Sequence, residues 1–270
     1  MEKKGQSIKD AIQSLFAITA ILISLIAAIL IYAYIFGNPI NFEGGNPKGH
    51  PLPGNYLGII YKGGYIVPVL ISLVLILAVF SIERAITIRR AKGKGRINIF
   101  VKELQSKLSN GEIDAAITAC DKQKGSLANV MRAGLVRYKI LEKDETLVKD
   151  QKILALQKEI EESTALELPM LSKNLVILST IASIAVLVGL IGTVLGMIRA
   201  FAALAQAGAP DALALATGIS EALINTALGI TGSTLAIILY NMFSTTIDKL
   251  TFKIDEAGFS LVHTFASKVK

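Results

Sequence analysis

The feature that most restricts this fold is a long apolar run, Ala212–Asn241, with a carboxylate, Glu221, set inside it. A charged side chain near the centre of a bilayer costs about 2.5–3.5 kcal/mol, so a chain keeps one there for a use or for a partner. A second apolar run, Leu175–Ala205, comes just before and carries Gly189, Gly192, Thr193 and Gly196. Gly208-Ala209-Pro210-Asp211 separates the two as a short turn, and the pair reads as a transmembrane hairpin.

Two earlier runs complete the pattern. Leu15–Phe36 is almost wholly apolar and, at about 1.5 Å per residue, is long enough to cross roughly 30 Å of hydrocarbon. It exceeds the apolar core of a signal peptide, and Gly37-Asn38-Pro39 lacks a small-residue cleavage pattern, so a retained helix is expected. Tyr65–Ile88 is the second span, with Pro68 in its first turn, where a missing N–H matters little. The chain is 52% hydrophobic and only 18% charged, below the roughly 25% charged residues of soluble domains. The expected fold is all-α: an integral membrane protein with four transmembrane helices and a helical cytoplasmic domain.

The expected order runs from a cytoplasmic amino terminus (1–14) through a first span (15–36), an outer loop (37–64) and a second span (65–88). A cytoplasmic helical domain (89–172), a third span (173–205), a turn (206–211), the fourth span (212–244) and a cytoplasmic tail (245–270) follow. Orientation comes from the basic residues. Lys3, Lys4 and Lys9, the Arg89–Arg96 cluster and Lys249, Lys253, Lys268 and Lys270 all fall on one side if the spans number four. The net charge of +7 therefore argues for membrane orientation, not for nucleic acid.

The loop Asn38–Gly64 is rich in Gly, Pro and Asn, which favours turns over regular structure. No Gly-Lys-Ser/Thr follows its glycines and no strand precedes them, so it is not a phosphate loop. His50 stands alone there and reads as solvated. Glu83 reads as interfacial or paired with a nearby Arg. Arg89–Ser172 reads as helical, with a stop at Ser109-Asn110-Gly111 and amphipathic stretches at Glu112–Lys122 and Ser126–Leu141. A longer helix, capped by Asp144, carries Ile153, Leu156, Ile160 and Leu168, and Pro169 is expected to kink it. Cys120 is the only cysteine, which excludes an internal disulfide or a cysteine-rich metal site. No catalytic constellation and no metal-ligand spacing is present, so neither an enzyme nor a cofactor is expected.

Pairing the hairpin about Gly208 puts Thr193 level with about residue 223, between Glu221 and Thr226. Glu221 then lies about 15 Å along its helix from Asp211, inside the hydrocarbon zone. Small residues form a stripe on each helix, Gly189, Thr193 and Gly196 on one and Ala222, Thr226, Gly229 and Ser233 on the other. Gly192/Gly196 and Gly229/Ser233 also have the spacing that lets helices approach closely in lipid. Thr217, Glu221 and Asn225 make a separate polar stripe, expected to face water, a pore or a partner. Burial disfavours a charged carboxyl, so Glu221 is expected to spend time neutral and to exchange a proton. The alternative is that it pairs with a cation, for which Arg199 is the intrachain candidate.

Val188-Gly-Leu-Ile-Gly-Thr-Val-Leu-Gly-Met-Ile-Arg-Ala-Phe201, Gly218-Ile-Ser-Glu-Ala-Leu-Ile-Asn-Thr-Ala-Leu-Gly229 and Tyr240-Asn241 resemble the two-helix signature of the MotA/TolQ/ExbB proton-channel family, closest to ExbB with TolQ next. The resemblance runs from about Tyr65 to the end and leaves Leu15–Phe36 and its loop as an added front end. It implies that Glu221, Thr193 and Thr226 fall on the family's polar positions in the channel hairpin. It implies a homo-oligomeric ring, a pentamer, in the bacterial inner membrane around an ExbD- or TolR-like single-span subunit whose aspartate carries protons. Work would pass to a TonB- or TolA-like protein. Val186 and Leu235 stand where the family often has Pro, so straighter helices are expected, and Asn225 stands where a small residue is common. A MotA-like stator, a non-conducting scaffold and a solute carrier remain the other readings; the last lacks the inverted repeats and broken helices it normally shows.

This topology is open to direct measurement. A cysteine at Asn46 is expected to react with an impermeant maleimide from outside the cell, and one at Lys94 only after the membrane is breached. Reaction of both from the same side refutes the four-span order.

Overall fold

A computed structural model describes residues 2–206 and 212–269. The expected turn at Gly208-Ala209-Pro210-Asp211 lies outside the described residues. The elements are helical throughout: α1 (Glu2–Leu30), α2 (Tyr56–Tyr61), α3 (Ile66–Ala91), α4 (Ile97–Ser109), α5 (Ile113–Gln123), α6 (Ser126–Lys143), α7 (Lys149–Ser172), α8 (Leu175–Gln206) and α9 (Ala212–Lys268). Among the described residues, four stretches are long and apolar enough to cross a membrane: Leu15–Phe36, Ile66–Ala91, Lys149–Ala202 and Leu215–Lys268. The protein is an all-α, multi-pass membrane protein. It divides into two compact units, Met1–Ser81 with Ile177–Tyr240, and Ile82–Val176 with Asn241–Lys270.

In the first unit α1 runs on through a π-helical stretch, Ile31–Phe36. The Asn41 amide closes that end by donating to the Ile35 and Phe36 carbonyls at 2.8 and 3.0 Å. The Tyr32 ring stacks on Tyr61 at 4.7 Å, and its hydroxyl donates to the Tyr61 carbonyl at 3.0 Å. The Gly/Pro/Asn loop is mostly turns, as its composition requires, but it also holds α2. Asn55 starts that helix by accepting from the Leu57 and Gly58 amides at 3.1 Å. Lys62 donates to the Pro47 and Lys48 carbonyls, both at 3.0 Å, and so ties the far side of the loop to the end of α2.

The second unit is a helical domain with a conventional apolar core. Phe100, Leu104 and Leu108 on α4, spaced by four, are buried with Met131, Leu135 and Tyr138 of α6 and Leu156 and Ile160 of α7. Leu250, Ile254, Leu261 and Phe265 of α9 are buried as well. Phe265 meets Tyr138 edge-on at 4.6 Å. Residues 245–268, which fall in the tail expected beyond the last span, continue α9, because the three- and four-residue apolar spacing persists to Phe265. Lys268 then donates to the Leu108 and Ser109 carbonyls at 2.9 and 3.2 Å, which satisfies the open end of α4.

One local expectation changes, and one open alternative, the Arg pairing of Glu83, is the one that forms. Asp144 does not cap α7; it ends α6, and its carboxylate accepts from the Thr146 amide and hydroxyl at 2.8 and 2.6 Å. That turn directs the carboxylate to Thr146, and α7 begins after Val148 instead. Thr146 also holds the Asp144 carboxyl below its usual range. Glu83 is paired with Arg84 at 2.5 Å and accepts from Thr87 and Asn174 at 3.0 and 3.2 Å. Arg84 is buried and also donates to the Leu171 carbonyl at 3.2 Å. Glu83 is thus part of a satisfied structural network.

Cys120 packs inside α5 at 2% exposure. Burial, with a smaller push from Asp121, raises its thiol from 9.0 to about 12. Since only the thiolate is nucleophilic, alkylation at pH 8 is expected to be more than about tenfold slower in the native protein than after unfolding. The neutral thiol's contribution to stability is full below about pH 9 and is lost as pH rises through about 12. A native thiol that reacts at the unfolded rate contradicts the packing of α5.

Candidate functional site

The site lies in the first unit, where α8 and α9 pack through their small residues. A Cβ added to Gly229 would stand 2.7 Å from the Ala185 carbonyl and 2.9 Å from the Gly189 Cα. One added to Gly189 would stand 2.8 Å from the Asn225 carbonyl. Further along, Gly196 faces Ala222 and the Gly218 carbonyl, each 2.9–3.0 Å from its would-be Cβ. Ser233 donates to the Ala182 carbonyl across the pair. These contacts bring backbone against backbone, the arrangement that supplies helix adhesion where lipid removes the hydrophobic drive. The outer face of α8 (Leu187, Leu190, Ile191, Val194 and Ile198) is exposed and apolar, suited to lipid or to neighbouring helices.

Close approach puts the polar groups in contact. The Thr193 and Thr226 hydroxyls hydrogen-bond to each other, and Thr193 also reaches the Gly189 and Ala222 carbonyls at 3.2 and 3.4 Å. The register expected from the hairpin is therefore the one that forms. Glu221 is buried at 7% exposure and ion-paired with Arg199. The Arg199 side chain stays 43% exposed, against 9% for that of Glu221. A long cation thus reaches in from the edge to meet an acid fixed inside, as snorkelling side chains do. The cation partner weighed as the alternative for Glu221 is present in the structure.

Asn225 has no exposed surface. Its amide nitrogen donates to the Gly63 carbonyl at 2.9 Å, while its side-chain oxygen has no partner among the described residues. Gly192 is the residue that admits it: a Cβ there would stand 2.5 Å from that of Asn225. Thr217, one turn before Glu221, is exposed and lines a cleft of about 410 Å³ with Ser220, His50 and Lys62. The polar stripe is therefore split. Thr217 faces that cleft, whereas Glu221 and Asn225 face the head of α3, where water, a pore or a partner was expected.

Three residues that sequence reasoning passed over complete the site. They are Gly63 and Gly64, just ahead of α3, and Tyr65, whose ring lies 4.7 Å from the Arg199 guanidinium. The one local signal was the Gly-Gly pair before a span. Among the described residues no cluster of His, Cys, Asp or Glu is suited to a metal. Chemically, the site offers a buried carboxylate paired with a guanidinium, two hydroxyls hydrogen-bonded to each other, and an amide oxygen with no partner among the described residues that can accept a hydrogen bond.

Residues 122–256 match the MotA/TolQ/ExbB proton channel family. The chain belongs to this family. Among similar proteins, a biopolymer transport protein ExbB of Pseudomonas putida is 37% identical over 82 residues, which cover 30% of this chain and 25% of that protein. ExbB of Salmonella typhimurium is 40% identical over 67 residues, covering 25% of this chain and 28% of that one. A Tol-Pal system protein TolQ of Haemophilus influenzae is 37% identical over 84 residues, covering 31% and 37%. The chain thus spans 25–37% of the length of these relatives. Glu221, Arg199, Thr193, Thr226 and Asn225 lie inside the family match, and Gly63-Gly64-Tyr65 lies outside it.

The glycine contacts make a paired prediction. Gly229→Val is expected to destabilise the hairpin by about 1–3 kcal/mol through overpacking against Ala185. Gly232→Ala, whose nearest neighbours would be 3.4 and 3.6 Å away, is expected to be neutral. Thermal unfolding in detergent separates them, and equal melting temperatures contradict the helix packing.

Proposed function

We propose that this chain is an ExbB-like subunit of a proton-motive-force-driven motor in the bacterial inner membrane. Copies form a ring, most simply a pentamer, around the transmembrane helix of an ExbD- or TolR-like subunit. Proton flow at that boundary turns or shifts the central subunit, which drives a TonB-like protein and transport across the outer membrane. Both termini and the helical domain lie in the cytoplasm, and the loop before α3 faces the periplasm.

The observation that carries this reading is the polar cluster at one level of an apolar hairpin, Glu221 with Arg199 beside Thr193 with Thr226. Packing alone does not require a charged pair there, since lipid penalises each charge by about 2.5–3.5 kcal/mol. Glu221, Thr193 and Thr226 form the proton pathway in the proposal, with Asn225 and Thr217 flanking it. Gly189, Gly192, Gly196, Gly229 and Ser233 hold the helices together. Membrane potential supplies about 2.3 kcal/mol per charge per 100 mV, enough to bias proton exchange at such a site. A TolQ-like role in envelope maintenance uses the same chemistry. A MotA-like stator ranks lower because chains of that kind lack an acid at the Glu221 position.

A non-conducting scaffold is the second reading, and the Arg199 counter-ion favours it, because a paired acid has a structural use of its own. Proteoliposomes holding the chain with an ExbD-like partner discriminate the two. Under an imposed pH gradient, Glu221→Gln is expected to reduce partner-dependent proton flux by at least about tenfold, a barrier change near 1.4 kcal/mol, while the oligomer stays assembled. Thr226→Val is expected to reduce it less. Full flux in both variants sinks the motor reading and leaves the scaffold.

A further inference from the structure

We propose that Gly63-Gly64-Tyr65 is a positioning strap that keeps Arg199 on Glu221 and so controls when that carboxyl can take a proton. The use made of the cluster rests on the motor reading; the strap itself stands on its contacts.

Three consecutive residues meet three members of the site. Gly63 offers its carbonyl to the buried Asn225 amide at 2.9 Å. Gly64 lies against Glu221 with φ +74°, a backbone region that side chains rarely adopt. A Cβ there would run into the Glu221 carboxylate and stand 3.4 Å from the Arg199 guanidinium nitrogen. Tyr65 then lays its ring by that guanidinium, 4.7 Å from centroid to cation. Bare backbone covers the acid, and an aromatic face holds the cation that neutralises it.

α8 and α9 supply the charge pair, and the Arg199 side chain in it is 43% exposed, so a restraint from outside the pair limits how far it swings away. The strap supplies that restraint from a distant part of the chain, 162 residues from Asn225. The titratable and charged groups around Glu221 are Arg199 from α8, Tyr65 from the head of α3 and, within electrostatic reach, Tyr32 of the first span. Among the described residues, Arg199 is the cation paired with it. With Tyr65 gone, the guanidinium loses its second contact and the carboxyl is left in apolar surroundings, where it takes up a proton.

Dicyclohexylcarbodiimide, a hydrophobic reagent that couples to protonated carboxyls, reads this state in the full-length protein without any partner. Peptide mass mapping is expected to show slow modification of Glu221 in the wild type. Tyr65→Leu and Gly64→Ala should each raise it several-fold. Tyr65→Phe, which keeps the aromatic face, should stay near the wild-type rate. Glu83, held by Arg84, serves as the internal reference for reagent dose, and an unchanged melting temperature in detergent shows that the variants keep their fold. Wild-type rates at Glu221 in both Tyr65→Leu and Gly64→Ala overturn the proposal, as does equal modification of the Phe and Leu variants. Because the readout involves no flux, its failure is distinct from failure of the motor reading.

Discussion

Two opposite charges held together inside an apolar hairpin set the terms for the rest of the first unit. Each charge alone costs about 2.5–3.5 kcal/mol in lipid. Their attraction at contact, with an effective dielectric near 20, returns about 4 kcal/mol. The pair is therefore close to balance only if Arg199 keeps part of its surroundings polar, and its side chain is indeed the more exposed of the two. Removing either partner leaves the other charge without its ion pair. Such a pair needs a rigid frame, and the structure provides one in the contacts of Gly189, Gly196 and Gly229.

The frame and the polar groups depend on each other. The Thr193 and Thr226 hydroxyls meet only because glycines let the two backbones close up one turn away on either side. Asn225 fits only because Gly192 has no side chain. Asn225 in turn is held by Gly63, which ties the hairpin to the head of α3. Small residues here serve chemistry as much as adhesion. Each one missing a side chain leaves room for a polar group that lipid would otherwise exclude.

The spans, the turn-rich loop and the register of Thr193 against Thr226 were legible in the sequence, because each is written in local spacing. Apolar length gives the spans, and a period near 3.6 gives the faces. Glu221 was legible as an anomaly, and Arg199 as its one intrachain candidate. The strap was not legible. Gly63 and Asn225 are 162 residues apart, and no local pattern encodes which glycine a buried amide will find. The start of α7 was misplaced because Asp144 had two local uses, a cap or a turn, and its neighbour Thr146 decided for the turn. The end of α9 was cut short because a charge-bearing stretch after a span looks like a tail. Only the buried row Leu250, Ile254, Leu261 and Phe265 shows that it has a core to face.

The paired state of Glu221 bears on what this chain contributes to proton movement. A carboxylate with a guanidinium against it is a poor carrier at rest, since taking a proton would strand the cation. The hydroxyl pair, by contrast, can hand a proton on without changing its own charge. Such a wall is suited to a mobile acid that arrives from elsewhere: it presents a carboxylate oxygen, two hydroxyls, and an amide oxygen with no partner among the described residues. An incoming protonated acid would find acceptors already placed. An incoming ionised acid would compete with Glu221 for Arg199, loosening the pair that Tyr65 now helps to hold. The same three side chains can thus respond differently to the two protonation states of a visiting group, which is the asymmetry a proton-driven step requires.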